Sequence, residues 1–214
     1  MSPELTKELR GNGNLFQEPT GPALLAAAGA GRDWPNNRGI FCADNRKFFV
    51  WVNEEDHMRI ISMDKGGDIT DIFDRWSRGV EKVRGILEGQ GSGYQFDEHF
   101  GYIHTCPSNL GTGLRASSMI FLPKLSEKLT PHQLEDFAKR YGVQARGENG
   151  EHTPAGPGGK WDISNYQRIG FTEVELVQKM INGVENLIAV EQQLEKGVNI
   201  KSAMGKNGDI LDHK

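Results

Sequence analysis

The sequence predicts an α+β fold, an antiparallel β-sheet flanked by helices. Strand-length apolar runs cluster at 40–63 and at 102–121, and helical periods occupy 69–87, 134–141 and 174–194. That order suits helices laid over one face of an antiparallel sheet. With 36% hydrophobic and 25% charged residues, the 214-residue chain has a soluble globular balance. Its length suits one large domain with a substantial core. It has no apolar run near the roughly 20 residues that span a bilayer, so no membrane association is expected. A net charge of −4 offers no broad positive field, so no nucleic-acid partner is expected either. Cys42 and Cys106 form neither a disulfide framework nor a paired metal motif, and residues 1–24 carry no secretory signal. A cytoplasmic chain with two thiols is therefore expected.

The opening segment, residues 1–30, is rich in Gly, Asn and Pro and predicts only a short helix or packed connection at 23–31. Strands are expected at 40–43, 47–52 and 58–63, the first two joined by a hairpin turn at Asp44 and Asn45. Asp68 is placed to cap a helix whose apolar positions, among them Ile69, Phe73, Trp76, Val80, Val83 and Leu87, form one stripe. Glycines at 89–93 end it. Strands at 102–105 and 113–121 follow. Thr130 and Gln133 have capping-box spacing before a helix carrying Leu134, Phe137 and Tyr141, with Gly142 as its turn. A strand through Ala145, a loop at 146–159 and a returning strand at 161–164 come next. Thr172 and Glu175 form a second capping box before the longest helix, and residues 199–214 read as a polar tail.

Chemistry concentrates in a few segments. Glu54, Glu55, Asp56 and His57 lie between two strands, with Arg59 on the second. In isolation this reads first as a solvated turn; carboxylates in such a turn could also hold a cationic substrate or orient metal-bound water, with Arg59 meeting phosphate. The run 105–115 joins Cys106 to small polar residues, glycines and Arg115, yet lacks the Gly–Lys–Ser/Thr signature of a phosphate loop. Cys106 alone reads either as a quiet buried thiol or as one tuned by nearby positive charge. Arg146 opens a Gly- and Pro-containing interval with Glu148, Glu151 and His152, which suits a substrate-closing loop or an ordinary exposed one. Trp51 and Trp161 suit sheet packing better than a nucleotide platform.

Taken together, the runs 31–38, 50–63, 106–115, 150–153 and 161–165 closely resemble the creatine and arginine kinase (phosphagen kinase) family. The likeness extends from Leu15 to about Lys196. It implies the glutamine synthetase-like catalytic fold of that family and reversible transfer of the γ-phosphoryl group of ATP to a guanidino nitrogen, with Mg2+ as cofactor. By resemblance, Glu55 would orient the guanidino group and assist proton removal, while Glu54 and Asp56 would hold magnesium through water. Arg59, Arg115 and Arg146 would bind phosphate charge. Cys106 would tune the substrate electrostatically, and Asp162 would lie near the nucleotide sugar. Glu151 matches the glutamate that clamps the guanidino end in arginine kinases, which favours arginine or a related guanidino acid and leaves creatine as the other choice.

Some features depart from the family pattern. The small helical N-terminal domain and an early arginine-rich strand are not recognisable, so residues 31–198 read as a partial, N-terminally truncated catalytic domain. Gly13 and Asn14 stand where the family has a nucleotide-contacting histidine and an aromatic, and Met119 stands where another such histidine is expected. These departures keep a second reading open, a catalytically impaired protein that binds nucleotide or a protein partner. Family resemblance also implies a homodimer.

Overall fold

The computed structural model describes residues 2–11, 14–19, 24–27, 29–147 and 153–212. Helices α1 (Pro3–Gly11) and α2 (Leu24–Ala27) open the chain, and strands β1 (Gly39–Cys42), β2 (Phe48–Val52) and β3 (Met58–Ser62) follow. Next come α3 (Ile69–Gly89) and the two-residue strands β4 (Phe96–Asp97) and β5 (Gly101–Tyr102). The remainder is β6 (Ser117–Phe121), α4 (Pro123–Lys128), α5 (Pro131–Lys139), β7 (Val143–Arg146), β8 (Lys160–Asn165), α6 (Glu173–Glu195) and α7 (Ile200–Met204). The chain divides into two compact units, Met1–Phe96 with His104–Pro107, and Asp97–Ile103 with Ser108–Lys214.

In the first unit, β1, β2 and β3 form an antiparallel meander with Trp51 opposite both Ile40 and Arg59. Arg46, at φ 58°, turns the first hairpin, with the Asn45 side chain accepting from the Lys47 amide. Alternation divides β2 between two faces: Phe49 is 1% exposed on the Trp51 side, and Phe48 lies on the other. Gly79 of α3 meets Phe48 so closely that a Cβ there would sit 2.5 Å from the ring. Asp68 caps α3 as its sequence position predicts, accepting from the Asp71 amide. The expected stripe is only half-buried; no α3 residue is fully buried, and Ile86 is exposed.

The second unit holds the main core. Strands β6, β8 and β7 form an antiparallel sheet with β8 in the centre. Ile120, Trp161, Ile163, Val143 and Ala145 bury one face against residues of α4, α5 and α6. Both predicted capping boxes are present, Thr130 with Gln133 and Thr172 with Glu175. Gly183 lets α6 close on β7, since a Cβ there would fall 2.4 Å from Val143 Cγ1. Trp161 is a packing residue, as expected, and its indole donates to Ser126 Oγ.

Several elements differ from the sequence reading. Helices α1 and α4 were not foreseen: α1 lies in a polar stretch with a single buried residue, Leu9, and α4 is one short turn begun by Pro123. The strands expected at 102–105 and 113–121 shrink to β5 and β6, because Gly111 and Gly113, both at positive φ, divert the chain between them. Residues 199–212 are not a free tail. Asn199 caps α7, a 3-10 turn (Gly205–Asp212) continues it, Ala203 and Met204 are buried in the core, and Arg140 pairs with Asp209 at 2.6 Å. That segment is polar by composition, but its few apolar residues share one side and dock.

Candidate active site

The acidic segment is the hairpin loop between β2 and β3. Asn53 starts it at φ 55°, its amide donates to His57 O, and its side chain donates to Asn37 O. The left-handed residue suits an asparagine and makes the loop reverse tightly. Arg59 leaves β3 on the same face as Trp51, and its guanidinium carbon lies 5.5 Å from the indole centroid. Its Nη2 is 3.0 Å from both Glu54 Oε2 and Glu55 Oε2, the Glu55 contact being a hydrogen bond. The loop thus already grips a guanidinium group, its own.

Asp56 turns the other way. Its Oδ1 accepts from the Thr105 amide at 2.7 Å, and its Oδ2 lies 3.3 Å from His104 Nδ1. This pins residues 104–105, and with them the half-buried Cys106, which is in no disulfide, to the acidic hairpin within one unit. His104 was not singled out in the sequence; its position two residues before Cys106 was the available signal.

In the second unit, Asp162 of β8 stands opposite Met119 of β6 and Arg146 of β7, so the three residues form a row across the sheet. The face they share is the one turned from the core; Met119 and Phe121 on it are 59% and 62% exposed. Arg115 Nη2 donates to Asp162 Oδ2 at 2.6 Å, and the two side chains are half-buried. Arg146 donates through Nε and Nη2 to Gln144 Oε1. The loop before Arg115 is held by the segment after β8: Thr112 N donates to Arg168 O, and Arg168 Nη1 donates to Ser108 O. Neither Arg168 nor Asn165, whose amide grips this loop, was foreseen, because they act across 60 and 49 residues of sequence.

Each expected site residue therefore has a definite place, with one exception. Glu54, Glu55, Asp56, Arg59 and Cys106 gather in the first unit, and Arg115, Arg146 and Asp162 in the second. Glu151, with Glu148 and His152, lies outside the described residues, as does Gly13. Asn14 is described; its carbonyl accepts from Trp51 Nε1 at 3.1 Å. Among the described residues no group of three or more His, Cys, Asp or Glu could hold a metal ion unaided. Carboxylates that reach magnesium only through water need no such group, since this ion keeps several waters and takes its other ligands from phosphates.

The family model for ATP:guanido phosphotransferases, C-terminal catalytic domain, matches residues 1–194. The chain belongs to this family. Phosphagen kinases of known sequence agree: the creatine kinase testis isozyme of Oncorhynchus mykiss is 47% identical over 190 residues, 89% of this chain and 48% of that protein. Creatine kinase B-type of Gallus gallus is 46% identical over 190 residues, again 89% of this chain and 49% of that protein. The chain spans about half the length of the curated relatives it matches. Among solved structures, a lombricine kinase superposes with a TM-score of 0.84 at 41% identity, covering 96% of this chain and 55% of that one. A duplicated taurocyamine kinase from Schistosoma mansoni gives 0.78 at 38% identity, over 92% of this chain and 26% of that one. This phosphagen-kinase chain shares their mixed antiparallel-sheet and helix architecture, and none of its described helices is long and apolar enough to cross a membrane.

Proposed function

We propose that this chain carries out reversible transfer of the γ-phosphoryl group between ATP and a guanidino nitrogen. The observation that carries the reading is the acidic hairpin, whose Glu54 and Glu55 hold the Arg59 guanidinium at 3.0 Å. A guanidino substrate presents the same planar, multiply donating cation. Glu55 is assigned to orient it and to accept the proton that the attacking nitrogen loses as the N–P bond forms and the P–O bond to ADP breaks. Arg59, Arg115 and Arg146 are assigned to the phosphate oxygens, where charge spreads in the transition state. The nucleotide would enter as its magnesium complex, whose metal neutralises phosphate charge; Glu54 and Asp56 would reach it through water. Cys106 is assigned beside the substrate as an electrostatic tuner, and Asp162 near the nucleotide sugar.

Arginine or a related guanidino acid is the favoured substrate, on Glu151, with creatine the second choice. A cytoplasmic location belongs to the same proposal, in keeping with Cys42 and Cys106 not being joined in a disulfide, and so does a homodimer by analogy with the family. The test is ADP release by the purified chain with magnesium, ATP and a panel of arginine, creatine, taurocyamine, glycocyamine and lombricine. Turnover that depends on one of these compounds and is lost in Glu55→Gln supports the reading.

One observation favours a second reading. At Met119 the family pattern expects a nucleotide-contacting histidine, and the exposed thioether there offers a nucleotide no hydrogen-bond donor. Binding of Mg·ADP without turnover at high enzyme concentration would favour an impaired nucleotide- or partner-binding protein. Absence of both binding and turnover in folded chain would refute the phosphoryl-transfer proposal.

A further inference from the structure

We propose that Asn165 is a positioning residue for Arg115; the inference rests on the phosphoryl-transfer reading and deepens it. Arg115 lies in the stretch 113–116, which belongs to no strand and has no ladder of its own to fix it. Asn165 ends β8 and is 1% exposed. Its Nδ2 donates to Leu114 O at 3.0 Å and to Gln167 O at 2.7 Å, while its Oδ1 accepts from the Ala116 amide at 2.8 Å. Leu114 and Ala116 are the two neighbours of Arg115, so one carboxamide grips the backbone on both sides of the arginine.

Chemistry dictates the orientation of that carboxamide. A backbone N–H only donates and a carbonyl only accepts, so the oxygen faces Ala116 and the nitrogen faces Leu114. Both amide hydrogens and the oxygen are used, and a buried polar group so satisfied is rigid. Asn165 N adds a bond to Ala116 O at 3.2 Å, and the Leu114 amide is further held by Thr112 Oγ1 at 3.1 Å. Asp162, one turn of the pleat and a half earlier on β8, takes the guanidinium itself. Backbone and head of Arg115 are thus both referenced to β8. Electrostatic stabilisation of a transferring phosphoryl group demands that the donor stand in place before the charge develops.

Titration of the full chain with Mg·ADP by calorimetry, alongside thermal unfolding, tests this. Arg115→Ala and Asn165→Ala should each weaken ADP by about tenfold, and the double variant should bind no more weakly than Arg115→Ala alone. Asn165→Asp should bind weakly at neutral pH and recover relative to the unsubstituted chain as pH falls. Its carboxyl, buried against two carbonyls, would bind a proton above the usual range and then donate its single O–H to one of the two carbonyls that the amide served, so the recovery is partial. Where Asn165→Ala does not fold, the Asn165→Asp pH series decides.

Unchanged affinity in folded Asn165 variants overturns the inference, as does an Asn165→Ala loss of equal size with and without Arg115, which marks a general structural role. A different result overturns the underlying reading and the inference with it: no ADP binding by the unsubstituted chain, or Arg115→Ala binding as tightly as that chain.

Discussion

Replacing Glu191 should loosen the second unit more than any single hydrophobic truncation of one methylene. Glu191 sits on α6, is 4% exposed, and accepts from the Lys124 amide at 2.6 Å and the Leu125 amide at 2.9 Å. These are the first backbone donors of α4, whose own N-cap, Leu122, supplies no side-chain acceptor. A hydrogen bond to a charged acceptor contributes about 1.5–3 kcal/mol, so two would contribute about 3–6 kcal/mol before the carboxylate's desolvation is subtracted. A net loss of about 2–4 kcal/mol follows for Glu191→Ala, which leaves two N–H groups without a partner. Glu191→Gln keeps one acceptor and presents an NH2 to the other donor, so it should lose roughly half as much. Urea unfolding followed by circular dichroism measures both, with the denaturant slope checked for constancy. Losses under about 0.5 kcal/mol for both variants would refute the claim that α4 is capped from α6.

Other substitutions probe the packing and the loops. Gly183→Ala should destabilise by about 1–3 kcal/mol in the same assay, because its Cβ would fall 2.4 Å from Val143 Cγ1 between α6 and β7. Gly111→Ala is strained by its φ of 101° and by a Cβ 2.4 Å from Arg168 O; it should displace the loop leading to Arg115 and weaken Mg·ADP binding, measured by calorimetry. Glu175 is held below its ordinary value of 4.5, chiefly by the Thr172 amide and then by the Thr172 hydroxyl. A lowered folded-state pKa means that its contribution is complete above pH 4.5 and fades as pH falls through the depressed value. Glu175→Gln should therefore show a flatter dependence of unfolding midpoint on pH below that point, read by thermal scans across an acid series.

Local patterns were enough to determine much of this protein from its sequence. Both capping boxes, the Asp68 cap, the three strands of the first meander and the long helix α6 all depend on residues within a few positions of one another. The site segments were legible for the same reason: Glu54, Glu55, Asp56 and Arg59 belong to one hairpin, and Cys106 and Arg115 to one loop. Resemblance to phosphagen kinases likewise lies in contiguous runs, which is why it pointed to the family before any coordinates.

Only the tertiary structure decided which distant groups meet. Asp56 reaches Thr105, Arg115 reaches Asp162, and Asn165 reaches Leu114 and Ala116, each across about fifty residues, with no periodicity to announce the pairing. The docking of residues 199–212 was hidden similarly, because a few apolar side chains in a polar stretch gain a partner only once Tyr141 and the α5 surface are in place. Glu191 is the clearest case. A glutamate on a helix surface is charged and soluble by its sequence, and it becomes a cap only because folding brings the uncapped start of α4 within hydrogen-bond distance of it.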